Sequence, residues 1–227
     1  MHTYTHYIGT RKNCISLVPI FNHLEVEQWD EIVEITRSVS YKKRETLYKA
    51  GNQSDSLYIV NRGRVKNYRL TESGKEQLVR ILTPGDFTGE YALFNDSVHE
   101  SYAEAISDTS ICMIKRSDLQ ALLIKYPSIS MNILKAFSNR LEESEKQTTL
   151  FATEKIETRI ALFLAQSIDD DSNEVSLPMS KRDLASYLGT TPETFSRRLT
   201  RLEKQGYIKR KSNKKIEILN LDELLLV

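Results

Sequence analysis

The chain has 227 residues, of which 40% are hydrophobic and 28% charged, a composition typical of a globular protein. With only two cysteines and four dispersed histidines, it fits neither a disulfide-built scaffold nor a metal-bound one. No apolar run approaches eighteen residues and no apolar signal segment is visible, which predicts a cytoplasmic protein without a membrane span.

The net charge of +1 hides a basic C-terminal region. Between Lys181 and Lys215, eleven Lys or Arg residues accompany three acids, a net charge of +8 by subtraction. Localised positive charge of this kind suits a phosphate backbone, because neutralising phosphates releases counterions. A charged face that is merely solvated would have the same composition.

Short strands are predicted from about Tyr41 to Ile114. Glycines at positions 51, 63, 74 and 85 recur every eleven or twelve residues, which is the spacing of turns between short strands. "SDSLYIVNRGRVKNYRL" and "EQLVRILTPGDF" supply strand-like runs between those turns. We therefore expect a jelly-roll or β-roll in an N-terminal domain of residues 1–126, within an α+β fold.

A long helix is predicted over residues 127–152. Six of its side chains follow the alternating three- and four-residue spacing of a coiled-coil seam: Leu134, Phe137, Leu141, Ser144, Thr148 and Phe151. We interpret this line as a dimer seam. A helix that packs within its own chain is the alternative.

The C-terminal domain, residues 153–227, begins with the amphipathic helix "EKIETRIALFLAQSI" and continues into two short helices. Ser180 followed by Asp183 predicts a capped start for the first short helix, and Gly189 suits its end. Thr191 can cap the second, with Pro192 at its first position, where a missing N–H costs nothing. Two short helices joined in this way predict a helix-turn-helix.

The second short helix has two different faces. At about 100° per residue, Phe195, Leu199 and Leu202 form a stripe that we expect to face the core. The opposite side carries side chains that hydrogen-bond to bases or phosphates, namely Glu193, Arg197, Thr200 and Lys204, flanked by Ser196 and Arg201. An arginine fork fits guanine O6 and N7, and a carboxylate accepts from cytosine N4. This face predicts binding to double-stranded DNA.

A basic hairpin follows. "YIKRKSNKKIEIL" predicts two strands around a Ser212–Asn213 turn, which would form a wing. Arg210 and Lys215 also lie in this hairpin, and we expect them to meet phosphates. We expect DNA backbone contacts from Ser180, Lys181, Thr191, Thr200, Arg201, Lys204, Lys209, Lys211 and Lys214.

This layout of β-roll, long helix and winged helix-turn-helix resembles the CRP/FNR transcription regulators over nearly the whole chain. "GDFTGEYALF", "LYIVNRGRVKNYRLTESGKEQLVRIL" and "LASYLGTTPETFSRRL" carry the resemblance. "ETFSR" is similar to the E-x-x-S-R pattern of the FNR branch, which implies Glu193, Ser196 and Arg197 as readers of a TTGAT-like half-site. Pro192 stands where the CRP branch has an arginine, so CRP-type reading of an extra guanine is not expected. The resemblance also implies a homodimer and RNA polymerase as a partner.

Departures from the family concern the signal. The Arg-Ser pair that binds the cyclic phosphate in CRP-like proteins reads Glu100–Ser101 here, and a glutamate would repel a phosphate, so we expect no cAMP binding. Glu90 would then have a structural role. A [4Fe–4S] cluster needs four ligands and the chain has two cysteines, so we expect no cluster unless two chains share one.

The remaining pattern resembles the FNR-like proteins (FLP) of Gram-positive bacteria, which keep one N-terminal cysteine and one in the roll. Arg11 and Lys12 would favour the thiolate of Cys14. We hypothesise a reversible Cys14–Cys112 disulfide. On the chain-entropy model, closing this loop could shift an equilibrium by up to about 4.7 kcal/mol, which is enough to bias a two-state dimer. In the alternative, Cys112 is a core residue and Cys14 an N-terminal thiol. A small-molecule effector other than cAMP, or no effector, also stays open.

Enzymatic function is the competing class. A metal-dependent jelly-roll enzyme would need His and carboxylate ligands inside the barrel, and only His99 falls within the β region. No P-loop, nucleophile elbow or paired-carboxylate motif is present, so we expect no catalytic residues. A cyclic-nucleotide sensor without DNA function would leave the C-terminal third unexplained.

Overall fold

Tight turns and short strands dominate the first half of the chain in the computed structural model, which describes residues 18–94, 96–169 and 172–227. The strands in chain order are β1 (Thr36–Tyr41), β2 (Thr46–Tyr48), β3 (Gln53–Ser54), β4 (Ser56–Arg62), β5 (Val65–Leu70), β6 (Glu76–Leu82), β7 (Phe87–Thr88), β8 (Ser97–Val98), β9 (Tyr102–Ala105) and β10 (Thr109–Lys115). They form the sheets β1-β10-β4-β7 and β2-β9-β5-β6 and the ribbon β3-β8. The predicted β-roll is confirmed.

The turns form where the glycine spacing predicts them. Glycines 51, 63, 74 and 85 all have positive φ. At Gly63, φ is +90° and an added Cβ would lie 2.5 Å from the carbonyl oxygen of Asp108. No L side chain fits there without displacing backbone.

The central strand β4 is buried on both faces, because helices cover one face and the second sheet the other. Tyr58 and Val60 face the second sheet and pack with Val65. Leu57 and Ile59 face the helices α1 (Val26–Ile35), α3 (Arg116–Lys125) and the start of α4 (Pro127–Thr153). A four-residue helix, α2 (Tyr91–Phe94), follows β7.

Helix α4 lies within one residue of the predicted long helix. Two compact units divide the chain, and the boundary falls within α4, between Leu141 and Glu142. The first unit contains the described residues up to Gly74 together with Val79–Leu141, and the second contains Lys75–Leu78 and Glu142–Val227. Each is described by itself below.

The second unit has the elements of a winged helix-turn-helix. They are α5 (Ile156–Gln166), β11 (Glu174–Ser176), α6 (Lys181–Tyr187), α7 (Pro192–Lys204), β12 (Ile208–Arg210), β13 (Lys215–Ile218) and α8 (Leu221–Leu225). The strands form an antiparallel sheet in the order β11-β13-β12. The predicted wing is the β12–β13 hairpin. Among the described helices, none combines the length and the apolarity that crossing a bilayer requires.

Candidate nucleic-acid interface

Both helices of the helix-turn-helix begin at the predicted caps. The Ser180 hydroxyl accepts a hydrogen bond from the Asp183 N–H at 3.1 Å, and the Thr191 hydroxyl accepts one from the Thr194 N–H at 3.2 Å. Pro192 occupies the first turn of α7. Gly189, at φ +71°, follows the C-cap residue Leu188 and ends α6. The local sequence therefore determines where α6 and α7 start and end.

Helix α7 buries one side and exposes the other. Phe195, Leu199 and Leu202 are each at most 1% exposed, as predicted. Glu193, Ser196 and Arg197 are exposed on the opposite side. The structure thus brings the three predicted base readers together on one solvent-facing surface.

The polar groups on this surface make weak or local contacts. Arg197 Nη2 donates to the Thr194 hydroxyl at 3.2 Å, a neutral and half-buried partner that a base edge can replace. Hydrogen bonds from its own backbone N–H and from the Thr191 hydroxyl lower the pKa of Glu193, so its carboxylate is ionised at neutral pH. Thr200 donates to the Ser196 carbonyl oxygen at 3.0 Å. The guanidinium and the carboxylate are therefore both charged and accessible.

An acid on α5 holds the rear of α7. Glu157, whose side chain is 16% exposed, lies 3.4 Å from both Arg198 Nη1 and Arg201 Nε. The contact with Arg201 is an ion pair without hydrogen-bond geometry, since Glu157 Oε1 has no hydrogen-bond partner among the described residues. Periodicity does not reveal this acid as a partner of α7, because it lies forty-one residues from Arg198.

A second acid joins α7 to the wing. Glu203 Oε1 accepts from the Arg210 backbone N–H at 2.8 Å, and Glu203 Oε2 accepts from Arg210 Nε at 2.7 Å and pairs with Arg210 Nη2. Hydrogen bonds from the Arg210 side chain and then its backbone lower the pKa of Glu203. We call this the Glu203–Arg210 clamp. It connects the last turn of α7 to β12 and takes Arg210 out of the set of cations open to phosphate.

The cations expected to contact the DNA backbone, apart from Arg210, fall into two groups. Lys181, Lys204, Lys209 and Lys214 make no ion pair with any residue in the described ranges. Three other cations are engaged within the unit: Arg201 with Glu157, Lys211 with Glu217 at 2.8 Å, and Lys215 with Glu174 at 3.0 Å. The lysines of the first group are available to pair with phosphates, whereas each cation of the second group would have to leave its acidic partner first.

The predicted dimer seam is only partly exposed. Leu134 and Leu141 are 57% and 61% exposed, and Ser144 and Thr148 are also exposed. Phe137 is instead half-buried, with its ring centroid 6.4 Å from that of Phe87.

At the far end of α4, Phe151 is also half-buried, beneath the guanidinium of Arg159 at 5.0 Å. Side chains that pack in their own chain have less surface for a partner. Met131, 66% exposed and one turn before Leu134, extends the exposed apolar line in their place.

The roll interior contains a hydrogen-bonded group of side chains that includes Ser101, the second residue of the Glu100–Ser101 pair. The Tyr48 hydroxyl lies 2.6 Å from the Thr88 hydroxyl and accepts from Asn67 Nδ2, which also donates to Ser101 Oγ. The Tyr48 ring stacks on His99 with centroids 3.7 Å apart. The Tyr48, Asn67 and Ser101 side chains are therefore hydrogen-bonded to one another, whereas His99 Nε2 is buried without a hydrogen-bond partner among the described residues.

Glu90 and Glu100 differ in their surroundings. Glu90 Oε1 accepts from Arg80 at 2.9 Å and from Arg140 of α4 at 3.1 Å, an ion-paired position that fits the structural role expected of it. Glu100 was expected to face a phosphate, but its side chain is 63% exposed and pairs with Arg69 at 2.8 Å. Glu100 therefore does not occupy the partly buried position that the argument from charge repulsion requires.

The structure describes one of the two cysteines, Cys112. Cys112 is 1% exposed in β10, opposite Ser38 of β1 and Ile59 of β4, and it is disulfide-bonded. Cys14 lies outside the described residues. A [4Fe–4S] cluster does not fit this chain, because it needs four thiolate ligands and the sequence has two cysteines.

Two segments match known families. Residues 38–126 match the family described as "Cyclic nucleotide-binding domain", and residues 158–226 match the "Crp-like helix-turn-helix domain". The first match covers most of the roll and the second covers the winged helix-turn-helix.

Curated relatives align over most of the chain. The "Probable transcriptional regulator flp" of Lacticaseibacillus casei is 34% identical over 213 residues, covering 93% of this chain and 96% of the relative. The "Fumarate and nitrate reduction regulatory protein" of Vibrio cholerae is 34% identical over 210 residues, covering 90% and 82%.

Among solved structures, FixK2 from Bradyrhizobium japonicum is 30% identical with a TM-score of 0.71, covering 84% of this chain and 96% of its own.

Proposed function

Because the chain belongs to the CRP/FNR family of transcription regulators, with a helix-turn-helix DNA-binding domain, we propose that it binds a palindromic operator with TTGAT-like half-sites as a homodimer. The observation that carries this proposal is the exposed side of α7, where Glu193, Ser196 and Arg197 lie together. DNA as the target also implies a cytoplasmic location, and RNA polymerase as a partner follows from the family.

Base reading would use the groups that α7 leaves accessible. Arg197 donates to the neutral hydroxyl of Thr194 at 3.2 Å, so little is lost when its fork turns to guanine O6 and N7. The ionised Glu193 can accept from cytosine N4. Lys181, Lys204, Lys209 and Lys214 would neutralise phosphates and so set the salt dependence of binding.

Dimerisation would use the exposed apolar line of α4. A single exposed leucine needs no explanation, but Met131, Leu134 and Leu141 recur at the spacing of one helix face. Two copies joined along this line would place two α7 helices on half-sites about one helical turn apart.

We propose thiol oxidation as the signal, through the Cys14–Cys112 pair. The position of Cys112 supports this, because it lies in the middle of the β1-β10-β4-β7 sheet. A bond made or broken there acts on the core that packs against Ile129 and Ile133 of α4. The redox state could in this way reach the helix proposed as the dimer seam.

Cyclic AMP is not the effector in this proposal. Position 100 is a glutamate, so it provides no arginine for a cyclic phosphate. Tyr48, Asn67 and Ser101 in the roll interior already hydrogen-bond to one another. The Arg80–Glu90–Arg140 network supports the alternative of a regulator without any ligand, because it already ties β6 and the end of β7 to α4. A small-molecule effector other than cAMP is the other alternative.

The test of DNA reading is selection of bound sequences from a random duplex pool, followed by binding of Arg197→Ala. Loss of a bidentate base contact costs about 1–3 kcal/mol per half-site, so preference for the selected operator over a scrambled one should fall by about five- to 150-fold per half-site. Lys209→Ala is the control, because the loss of a phosphate contact should weaken binding to both duplexes equally. Unchanged discrimination by Arg197→Ala would refute the proposal.

The thiol proposal has its own test. Operator binding is compared for reduced and oxidised protein, with Cys14→Ser and Cys112→Ser alongside. We expect redox dependence in the wild type and none in either variant. Dependence that survives Cys14→Ser would eliminate this pair as the switch.

A further inference from the structure

A cavity of about 400 Å³ lies in the second unit, between the C-terminal half of α4 and the helices α5 and α6. Its wall includes the aromatic rings of Phe151, Phe163 and Tyr187, with leucine side chains between them. Small-molecule sites typically have this volume and a mostly apolar wall with a few polar groups.

Arg159 is the polar group in this wall that has donors to spare. Its Nη1 donates to the Leu188 carbonyl oxygen at 2.8 Å, and its guanidinium lies over Phe151. No carboxylate in the described ranges pairs with it, and its Nε is buried without an acceptor. A half-buried guanidinium without a paired counter-charge is costly, so Arg159 would gain from binding an anionic group that enters the cavity.

Two other polar residues of the wall already have partners. Gln147 donates to the Tyr187 carbonyl oxygen at 3.3 Å, and Lys146 pairs with Glu142 at 2.6 Å. Burial, and then the charge of Glu143, raise the pKa of Tyr187, so its phenol stays a hydrogen-bond donor. The exposed carboxylate of Glu143 disfavours an anion nearby, which restricts an anionic group to the Arg159 side of the cavity.

We infer that this cavity binds a small aromatic carboxylate, with the carboxylate on Arg159 and the ring among Phe151, Phe163 and Tyr187. A guanidinium recognises a carboxylate through two parallel hydrogen bonds, and the aromatic walls accommodate a planar ring. Such a ligand contacts α4, α5 and α6 together. It would stabilise their packing and couple the site to the DNA-binding domain by differential affinity.

Three probes with one ring system test the inference on the full chain without DNA. They are indole-3-acetate, the neutral indole-3-acetamide and the cationic tryptamine, titrated by calorimetry. For ligands of this size we expect indole-3-acetate to bind with a Kd on the order of 0.1–1 mM and the other two at least about tenfold more weakly. Equal affinity for tryptamine, or no binding of indole-3-acetate at about 5 mM, overturns the inference.

Variants locate the site. Arg159→Gln should remove the preference for the carboxylate, whereas Arg182→Gln, an exposed arginine of α6 that does not line the cavity, should leave it unchanged. Arg159 also bonds to Leu188, so a second variant, Leu150→Trp, fills the cavity and leaves the arginine in place. Indole-3-acetate that binds Leu150→Trp as tightly as the wild type overturns the inference.

The outcome is separable from the test of DNA reading. The probe titrations contain no operator, and operator discrimination by Arg197→Ala is measured without probes. Each result can therefore fail while the other holds.

Discussion

The Glu203–Arg210 clamp gives the sharpest quantitative prediction. Glu203→Gln keeps the shape of the side chain and one acceptor oxygen but removes the charge that pairs with Arg210. The expected result is a wing that opens more often from the end of α7, while the fold of the unit is retained.

The size of the effect follows from the contacts. Both side chains are 30% exposed, so the pair lies between a surface ion pair, worth about 0.2–1 kcal/mol, and a buried one, whose breakage costs about 3–5 kcal/mol. Hydrogen bonds to charged groups contribute about 1.5–3 kcal/mol before solvent screening. We therefore expect a loss of about 1–2 kcal/mol in the local opening free energy of the wing.

Hydrogen exchange measures this opening where it occurs. The Arg210 amide donates to Glu203, so its exchange should accelerate about five- to thirtyfold in Glu203→Gln. Low pH should have the same effect on the wild type. The pKa of Glu203 is lowered in the fold, so the clamp is fully present above the ordinary value of 4.5 and is lost as the pH falls through the lowered pKa.

Glu217→Gln is the matched control. It breaks the Lys211–Glu217 pair at 2.8 Å in the same hairpin, where no backbone N–H is involved, and should change exchange of the Arg210 amide less than about twofold. If Glu203→Gln and Glu217→Gln accelerate that amide equally, the clamp has no special role.

Three further outcomes are expected. Gly63→Ala should lower the thermal stability of the roll far more than Gly74→Ala, since of these two glycines only Gly63 has backbone near an added Cβ, at 2.5 Å. Fluorescence of the single tryptophan follows the thermal unfolding, and equal losses of stability would contradict the steric argument. Burial lowers the pKa of His99, so the fold should lose stability as the pH falls below the ordinary 6.5, and His99→Phe should flatten that dependence in denaturant titrations at pH 5 and 7. Leu134→Glu should convert dimer to monomer in light scattering, whereas Lys135→Glu should not; a dimeric Leu134→Glu would rule out the proposed seam.

Local patterns were sufficient for the helix-turn-helix. Capping residues, a proline at the first helical position and an apolar repeat act within a few residues of one another, so the bounds of α6 and α7 and the exposed side of α7 could be predicted. The roll was equally predictable as a class, because glycine turns and strand lengths are local.

Long-range partners were not predictable. Glu157 and Arg198, or Glu90 and Arg140, lie far apart in the sequence, and nothing in their local pattern links them. The interpretation of Phe137 and Phe151 as seam residues has the same weakness. The three- and four-residue repeat identifies a face of α4 but does not say whether that face packs against Phe87 of its own chain or against another copy.

The amino-acid sequence by itself determined the order of elements, the caps and turns, and the side of α7 that faces water, because these depend on backbone preferences and on polarity repeated at short range. Only the tertiary structure decided which cations remain open to phosphate, which acids hold α7 and the wing, and that Asn67 donates to both Tyr48 and Ser101. Those outcomes depend on which distant side chains meet at hydrogen-bond distance, and chain folding alone sets that distance.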